Sequence, residues 1–352
     1  MMENFMTLQN STQAQQLQTR FNAFSTQHPK VRIRNAAHAL GVSEMELVAA
    51  GAGGIQSTLL RSPPQDIFKE LGALGRVMAL TRNDWCVHER HGQYEDIHAG
   101  TNMGIVLGPD IDLRMFFKCW GSSWAVQDNG RHSIQFFDTG GTAVHKVFCT
   151  DESDMDAYHA LVEKYTDQRP EWPHIKPAPS KENSDTKAAD GLRARWLGMK
   201  DVHEFHGILK EFKVSRLGAL HSVGADLAQK LSNDAAERML NDVVTQDVPL
   251  MCFVGNQGLV QIHSGPIQRL LRTQSWFNIL DPHFNLHLDT TAIAQTWIVN
   301  RPSSDGWITS MECFAANGDL ITQFFGARKP GIPELAAWRQ LLLSYCSQPL
   351  AA

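Results

Sequence analysis

Two separate stretches of the chain, VMALTRNDWCVHERHG at residues 77–92 and LMCFVGNQGLVQIHSG at residues 250–265, have related sequences. Their matching residues are separated by a constant 173 positions: Met78 and Met251, Asn83 and Asn256, Val87 and Val260, and Gly92 and Gly265. Repetition at a fixed spacing is typical of a structural unit that occurs more than once in a chain. The sequence therefore predicts a protein made of two related halves.

The correspondence extends outward from these stretches in both directions. Matches downstream, at spacings of 173 and then 177, relate Leu113 to Leu286, Trp124 to Trp297, Phe137 to Phe314, Gly141 to Gly318 and Phe148 to Phe325. Upstream, a spacing of 183 relates His38 to His221. These ordered matches predict an N-terminal repeat at residues 1–165 and a C-terminal repeat at residues 192–352. Residues 166–191 include four prolines and many polar residues, so we expect a linker there.

Each half contains short stretches of alternating apolar and polar residues bounded by Gly, Asp or Asn, which is typical of β-strands. The Gly and Asn-Gly turns within residues 136–148 and 313–325 indicate hairpins. Helical patterns precede and follow the strands. Consecutive hairpins with helices at their ends predict an α+β fold in which each half is an antiparallel β-sheet flanked by helices.

Composition narrows the class of function. The 352 residues include 32 Lys or Arg and 37 Asp or Glu, which gives a formal net charge of −5. Nucleic-acid binding favours a basic surface, so we expect no nucleic-acid partner. The chain has no apolar run suited to a membrane span, and its polar N-terminal residues do not resemble a signal peptide. We therefore expect no membrane span and an intracellular location.

Sequence motifs for common cofactors are not evident. The six cysteines are scattered without a C-x-x-C pair, so the spacing does not favour a zinc or iron–sulfur site. The chain also has no P-loop and no G-x-G-x-x-G turn after a strand, so we find no flavin or nicotinamide motif.

The segment DVHEFHGILKEF, residues 201–212, contains two histidines in a helical pattern. Asp201 and Glu204 resemble a capping box, which predicts a helix beginning at Val202. His203 and His206 then share one helical face. The positive end of the helix dipole disfavours a charged imidazole at His203, and a neutral imidazole is the form that binds metals. The same pattern is also consistent with two ordinary surface histidines.

Several long stretches together resemble one known family. They are KVRIRNAAHALGVSEMELVA (30–49), TRND with VHE (81–89), DLRMFF (112–117), DVHEFH (201–206), VPLMCFVGNQG (248–258) and QFFGARKPG (323–331). Over essentially its whole length the sequence resembles the cytoplasmic haemin transport and haemin-degrading proteins (HemS/HmuS/ChuS-like, with HemS/ChuX domains) of Gram-negative bacteria.

The resemblance implies a site for one haem, haem b, as ligand or substrate. His203 occupies the position of the family's axial iron ligand, and His206 is a possible alternative ligand. Arg114 occupies the position of the distal arginine, for which we expect a catalytic role, and Phe116 that of an apolar contact. Alternate residues of a strand share a face, so Arg114 and Phe116 are expected to project together.

Further haem contacts implied by the resemblance are Arg216, Phe253, Arg301, Gln323, Phe325 and Arg328. The arginines would bind the propionates, since guanidinium binds carboxylate bidentately, and the phenylalanines would cover the macrocycle. The sequence departs from the family pattern at three positions: Arg301 replaces a usual lysine, and Thr322 and Phe325 stand where tyrosines can occur. His287 lies 173 positions after Arg114, and whether it ever binds iron stays open.

The function expected from the resemblance is haem-iron acquisition, in which the protein accepts imported haem and degrades it oxidatively to release iron. The haem would come from an inner-membrane haem importer, which is one expected partner. Degradation would need an external electron donor, so a reductase is the other. The alternative is a carrier or store without enzymatic activity that passes haem to a separate haem oxygenase. Two neighbouring histidines would suit the carrier, whereas a distal arginine would suit the enzyme.

Overall fold

The computed structural model describes residues 8–176, 190–329 and 331–352. Residues 177–189, which belong to the predicted linker, lie outside the described residues. The chain divides into two compact units. Unit 1 comprises the chain up to residue 81 with residues 89–179 and 256–261, and unit 2 comprises residues 82–88, 180–255 and 262–352. Each unit thus includes a short segment from the opposite half of the sequence.

The elements of the first half are α1 (Thr12–Gln27), α2 (Ile33–Leu40), α3 (Glu44–Ala50), β1 (Gln56–Leu60), α4 (Pro64–Lys69), β2 (Gly75–Arg82), β3 (Cys86–Gly92), β4 (Ile97–Ala99), β5 (Met103–Leu107), β6 (Asp112–Phe116), β7 (Trp120–Asp128), β8 (Arg131–Asp138), β9 (Ala143–Ser153) and α5 (Met155–Tyr165).

The elements of the second half are α6 (Leu192–Leu197), α7 (Glu204–Glu211), α8 (Arg216–Ser222), β10 (Ala228–Leu231), α9 (Ala235–Thr245), β11 (Leu250–Gly255), β12 (Leu259–Gly265), β13 (Leu270–Thr273), β14 (Trp276–Leu280), β15 (Phe284–Asp289), β16 (Gln295–Ser303), β17 (Gly306–Phe314), β18 (Leu320–Gly326) and α10 (Ala336–Leu343).

The two halves have the same order of helices and strands, which confirms the predicted duplication and the α+β class. The strands of the described residues form two antiparallel nine-stranded sheets. Strands β3 and β12, and likewise β5 and β14, begin and end 173 residues apart, as the repeat predicts. The upstream alignment at a spacing of 183 is wrong. Helix α2 corresponds to α7 at a spacing of 171 residues, and α3 corresponds to α8 at a spacing of 172. His38 lies in α2 and His221 lies in α8, so the two histidines are not equivalent.

The sheet of each unit contains five consecutively paired strands. In unit 1 the order is β1-β7-β8-β9-β2, and in unit 2 it is β10-β16-β17-β18-β11. A second group of three strands follows the same plan, with β4-β5-β6 in unit 1 and β13-β14-β15 in unit 2. All of these pairs are antiparallel, which agrees with the hairpins predicted from the turns.

Corresponding asparagines fix the turn before β3 and the turn before β12. The Asn83 side-chain oxygen accepts hydrogen bonds from the backbone N–H groups of the residues two and three positions later, and Asn256 does the same. The Asn83 amide also donates to the carbonyl of Ile321 at 2.8 Å, within unit 2. The Asn256 amide donates to the carbonyl of Val144 at 2.9 Å, within unit 1. These bonds hold each exchanged segment within its unit.

The five-stranded sheet of unit 2 has two differently covered faces. On one face, alternate strand residues such as Cys252, Met311 and Phe324 pack with α9 and α10 in a large apolar core. On the other face, Trp297 and Phe314 pack against helices α6, α7 and α8. The strand residues that alternate with those of the first core therefore point toward helices α6, α7 and α8. None of the described helices is both long enough and apolar enough to cross a bilayer.

Candidate functional site

A buried carboxylate organises three of the predicted haem contacts in unit 2. Glu312 on β17 is completely buried and accepts hydrogen bonds from two arginines. Arg216, the first residue of α8, binds it bidentately, with Nε and Nη2 each 2.8 Å from the carboxylate oxygens. Arg301 on β16 donates from Nη2 at 2.5 Å. Gln323 on β18 donates to the same carboxylate at 3.0 Å, and Ser310 at 3.1 Å. We call Arg216, Arg301, Glu312 and Gln323 the Glu312 cluster.

Aromatic rings complete the surroundings of this cluster. The guanidinium carbons of Arg301 and Arg216 lie 4.4 and 5.0 Å from the centre of the Phe205 ring, on α7. The Trp196 ring lies 6.0 Å from Arg301 and is itself buried. Arginine stacks favourably on aromatic faces, so the rings stabilise the buried cations. Although burial alone would raise the pKa of Glu312, Arg216 and Arg301 lower it well below its usual range. The carboxylate is therefore ionised.

Strand pairing places the predicted aromatic contacts beside the cluster. Phe253 on β11 is the cross-strand partner of Gln323, which is in turn the partner of Glu312. The rings of Phe253 and Phe325 pack edge to face, with centroids 5.0 Å apart, and both are partly exposed. Thr322 is buried on the opposite face, where its hydroxyl donates to the Phe253 carbonyl at 3.0 Å. A tyrosine at this position would therefore not lie on the face that contains Phe253 and Phe325.

The two histidines lie at the start of α7. The helix begins at Glu204 rather than at the predicted Val202, with His203 as the N-cap residue. Half of the predicted capping box forms: the Glu204 carboxylate accepts from the Asp201 backbone N–H at 3.1 Å. The Asp201 carboxylate instead accepts from the His203 backbone at 2.8 Å, and it lies 2.6 Å from His203 Nδ1. The contacts between Asp201 and His203 lie in the turn that precedes the helix.

The Asp201 contact orients the His203 ring. If Nδ1 donates its proton to the carboxylate, Nε2 has a free lone pair, which is the tautomer that metal-binding histidines commonly adopt. The side chain of His203 is 86% exposed, so Nε2 is open to a ligand. Among the described residues, no partner within hydrogen-bond distance of His203 Nε2 is found. The hydrogen bond from the His203 backbone is the largest of the effects that lower the pKa of Asp201.

His206 lies at the surface of α7, one turn after His203. Partial burial of its ring lowers its pKa, and the charges of Lys210 and Arg216 lower it further. His206 is therefore neutral at physiological pH, as an iron ligand must be. The electrostatic effect of Arg216 also links this histidine to the edge of the Glu312 cluster.

Arg328, predicted to bind a propionate, has a carboxylate partner of its own. Its Nη2 donates to Asp305, in the turn between β16 and β17, at 2.8 Å. Asp305 also accepts from the backbone of Gly331 at 3.0 Å. The Arg328 charge lowers the pKa of Asp201, so the arginine lies near the turn that contains His203. In the same region the Ser304 backbone donates to the Lys200 carbonyl at 2.8 Å.

Arg114 and Phe116 belong to unit 1, on β6, and project from one face as expected. Arg114 is paired with Asp112 and donates from Nη1 to the Leu113 carbonyl at 3.0 Å. Phe116 is 38% exposed, and its cross-strand partner Met103 is 64% exposed. Leu113 and Met115 point to the opposite face and are fully buried. Strand β6 therefore presents an arginine and an apolar surface together.

His287 is the structural counterpart of Arg114. Arg114 is the cross-strand partner of Ile105, and His287 is that of Asn278, so the spacing of 173 holds for both residues of the pair. His287 is half-buried, and its Nδ1 lies 2.7 Å from the side-chain oxygen of Asn278. The two halves therefore have different polar groups at equivalent points.

Glu312 is the principal residue that sequence reasoning missed. A weak signal exists, since SMECF would place a carboxylate in an otherwise apolar part of an inward-facing strand, and such charges are buried only with partners. Its partners could not be identified in this way. Arg216 lies 96 positions earlier in the chain, and only strand pairing and helix packing bring the two together.

Comparison with known proteins agrees with the duplicated architecture. The model of the haemin-degrading HemS/ChuX domain matches the chain twice, at residues 41–165 and 213–345. This chain belongs to the HemS/ChuX family. The hemin transport protein HemS of Yersinia enterocolitica is 37% identical over 332 residues, which cover 92% of this chain and 96% of HemS. The family match starts 172 residues apart in the two halves, in agreement with the helix correspondence.

Two solved structures of the family have the same fold. Holo-PhuS, a heme-binding protein from Pseudomonas aeruginosa, superposes with a TM-score of 0.90 at 40% identity, over 95% of this chain and 99% of PhuS. ChuS, an E. coli heme oxygenase, superposes with a TM-score of 0.84 at 33% identity, over 94% of this chain and 99% of ChuS. HemS/ChuX proteins described by different activities therefore share this architecture.

Proposed function

We propose that this protein binds haem in iron acquisition, with His203 as the axial iron ligand. The observation that supports the proposal most directly is the His203 imidazole, held by Asp201 at Nδ1 and exposed at Nε2. The family relationship to hemin transport proteins and to a heme-binding protein supports the identity of the ligand. We further propose that the protein acts in the cytoplasm and receives its haem from an inner-membrane importer.

Besides the axial histidine, unit 2 offers contacts suited to the haem macrocycle and to its propionates. Phe253 and Phe325 form a partly exposed aromatic surface suited to the macrocycle. Arg216 and Arg328 are cations suited to the propionates, because charge-assisted bonds to guanidinium are strong and directional. Gln323 lies between the aromatic surface and the arginines. Arg301 is 3% exposed, so we assign it to the support of the cluster rather than to a direct propionate contact.

We propose that haem bound in this way is degraded oxidatively, with Arg114 as a catalytic residue. Ring opening by O₂ requires electrons from an external donor, and we propose that a separate reductase supplies them. The Arg114 guanidinium is a cation with several N–H donors and can stabilise negative charge that develops during oxidation. Phe116 would contribute an apolar contact beside it. The relationship to a heme oxygenase supports this activity.

A haem carrier is the second candidate, and His206 favours it. Two imidazoles one helical turn apart, those of His203 and His206, would allow haem to change its axial ligand during transfer. In that case a separate haem oxygenase would be the downstream partner. The carrier and the enzyme use the same binding residues and differ in what happens after binding.

Spectroscopy of the haem complex tests the proposal. We expect titration with haem to produce a saturable Soret band with one equivalent bound. Addition of ascorbate or a reductase system in the presence of catalase should then bleach that band and release iron with a defined tetrapyrrole. Bleaching only without catalase would indicate attack by free peroxide and favour the carrier. Absence of saturable binding would contradict both candidates.

A further inference from the structure

The Glu312 cluster contains more positive than negative charge. Arg216 and Arg301 contribute two cations, whereas Glu312 contributes one anion and Gln323 is neutral. The side chains of Arg301 and Glu312 are 3% and 0% exposed, so water does not solvate the charge of either group. A buried surplus charge is unfavourable unless it is paired. The cluster therefore favours an additional anion at whichever of its cations is accessible.

Arg216 is the accessible cation, with 25% of its side chain exposed. Its Nε and Nη2 atoms bind Glu312 along one edge of the guanidinium. A guanidinium has five N–H donors arranged along two bidentate edges, so the edge formed by Nη1 and Nη2 can still receive a second carboxylate. Glu312 thus fixes the plane of the guanidinium and determines the direction in which the second edge points.

We propose that Glu312 is a positioning residue that holds Arg216 toward a carboxylate of the ligand, and that the cluster accepts one such carboxylate. In this arrangement the buried Arg301 neutralises Glu312, so that one positive charge, that of Arg216, is left over. This inference rests on the proposed haem binding and identifies the part of the site that recognises a propionate. Because Phe205 packs against both guanidinium groups, their separation is fixed before the ligand arrives.

The test compares haem with haem dimethyl ester, in which both propionates are neutral. Glu312→Asp retains the charge but withdraws the carboxylate by one methylene group, so it should release at least one bond to Arg216. We expect the wild type to prefer haem over the diester by at least about tenfold, as one charge-assisted pair implies. In Glu312→Asp this preference should fall by about tenfold, while affinity for the diester changes less than about threefold.

A matched control is Glu44→Asp, which shortens a buried, ion-paired carboxylate at the start of α3 in unit 1 by the same methylene group and should leave the preference unchanged. If Glu312→Asp does not fold, Arg216→Lys serves instead. Lysine keeps the charge but has no second edge, so the preference should fall equally.

The outcomes separate this inference from the proposed function. If the wild type binds neither compound, haem binding itself is wrong. If it binds both equally well, or if folded Glu312→Asp or Arg216→Lys keeps the full preference, haem binding stands and the positioning role of Glu312 is refuted. Loss of affinity for both compounds to the same extent would also refute it, because a merely structural role predicts that result.

Discussion

The two units place opposite charges at equivalent positions of their five-stranded groups. In unit 2 a cross-strand row runs from Phe253 through Gln323 to Glu312. The equivalent row in unit 1 contains Leu80, Lys146 and Gln135. The first residue of the helix after the capping serine is Arg216 in unit 2 and Glu44 in unit 1. The polarity of the helix-to-sheet interaction is therefore reversed between the halves.

This reversal leaves the two halves with different net charges at equivalent points. In unit 1, Lys146 donates to Glu44 at 2.5 Å, and the adjacent Gln135 is neutral, so the charges cancel. In unit 2, Glu312 is shared by two arginines, and one positive charge remains unmatched. The two halves therefore share the order of helices and strands but differ in charge, with a closed ion pair in unit 1 and a surplus cation in unit 2.

The largest expected effect concerns the stability of these two charge arrangements. Glu312→Gln leaves two guanidinium groups without an anion in a buried position, and we expect a loss of about 3–5 kcal/mol in the free energy of unfolding. Glu44→Gln leaves only Lys146, whose side chain is 13% exposed, and should cost about 1–3 kcal/mol. Urea denaturation of both variants measures the difference. Equal losses would show that the surplus charge in unit 2 has no energetic consequence.

The next comparison is between Arg114 and its counterpart His287. Arg114→Ala should slow reductant-driven haem breakdown by roughly 10²–10³, because one preorganised donor to developing charge is lost. Haem affinity should change less than about tenfold, since other groups supply the iron and propionate contacts. His287→Ala is the matched control and should leave turnover unchanged. Turnover at the wild-type rate in Arg114→Ala would favour the carrier.

The N-cap residues of α7 and α2 provide a third comparison. His203 and Arg32 occupy equivalent positions, and neither side chain makes a capping hydrogen bond. His203→Ala should shift the Soret maximum as His206 replaces it, and removal of both histidines should weaken binding by at least about tenfold. Arg32→Ala should change neither quantity. An unchanged spectrum in His203→Ala would exclude this residue as the axial ligand.

The smallest expected effect is a pH dependence specific to unit 1. His145 lies at the position of Thr322 and is buried between Thr81 and Tyr94, at 2.8 and 2.5 Å. Burial lowers its pKa from 6.5 to about 3, so below pH 6.5 the unfolded chain binds a proton that the folded state does not. Stability should therefore fall by about 1 kcal/mol between pH 7 and pH 5.5.

His145→Thr, which copies the second half, should remove this part of the pH dependence. Urea midpoints measured across the same pH range test it. An identical slope in the variant and the wild type would contradict the assignment to His145.

The sequence predicted well whatever depends on local pattern or on repetition. The spacing of 173, the antiparallel hairpins and the apolar core faces follow from the order of residues along the chain. The start of α7 was predicted less accurately, because the Asp201 carboxylate can bind the backbone of His203 or of Glu204, and the pattern does not distinguish these. The upstream alignment failed because the residues around His221 resemble those around His38, although α8 corresponds to α3 and not to α2.

The sequence by itself determined the duplication and the fold class, because the repeat spacing and the local patterns do not depend on tertiary contacts, and the resemblance of several stretches to known proteins indicated the family. Only the tertiary structure decided which charges meet. Arg216, Arg301 and Gln323 converge on Glu312 from one helix and two strands, and Arg216 is separated from it by 96 positions. No local rule relates such residues, since their proximity depends on strand register and helix packing together. The physical character of the site, a buried carboxylate shared by two cations, exists only in the folded chain.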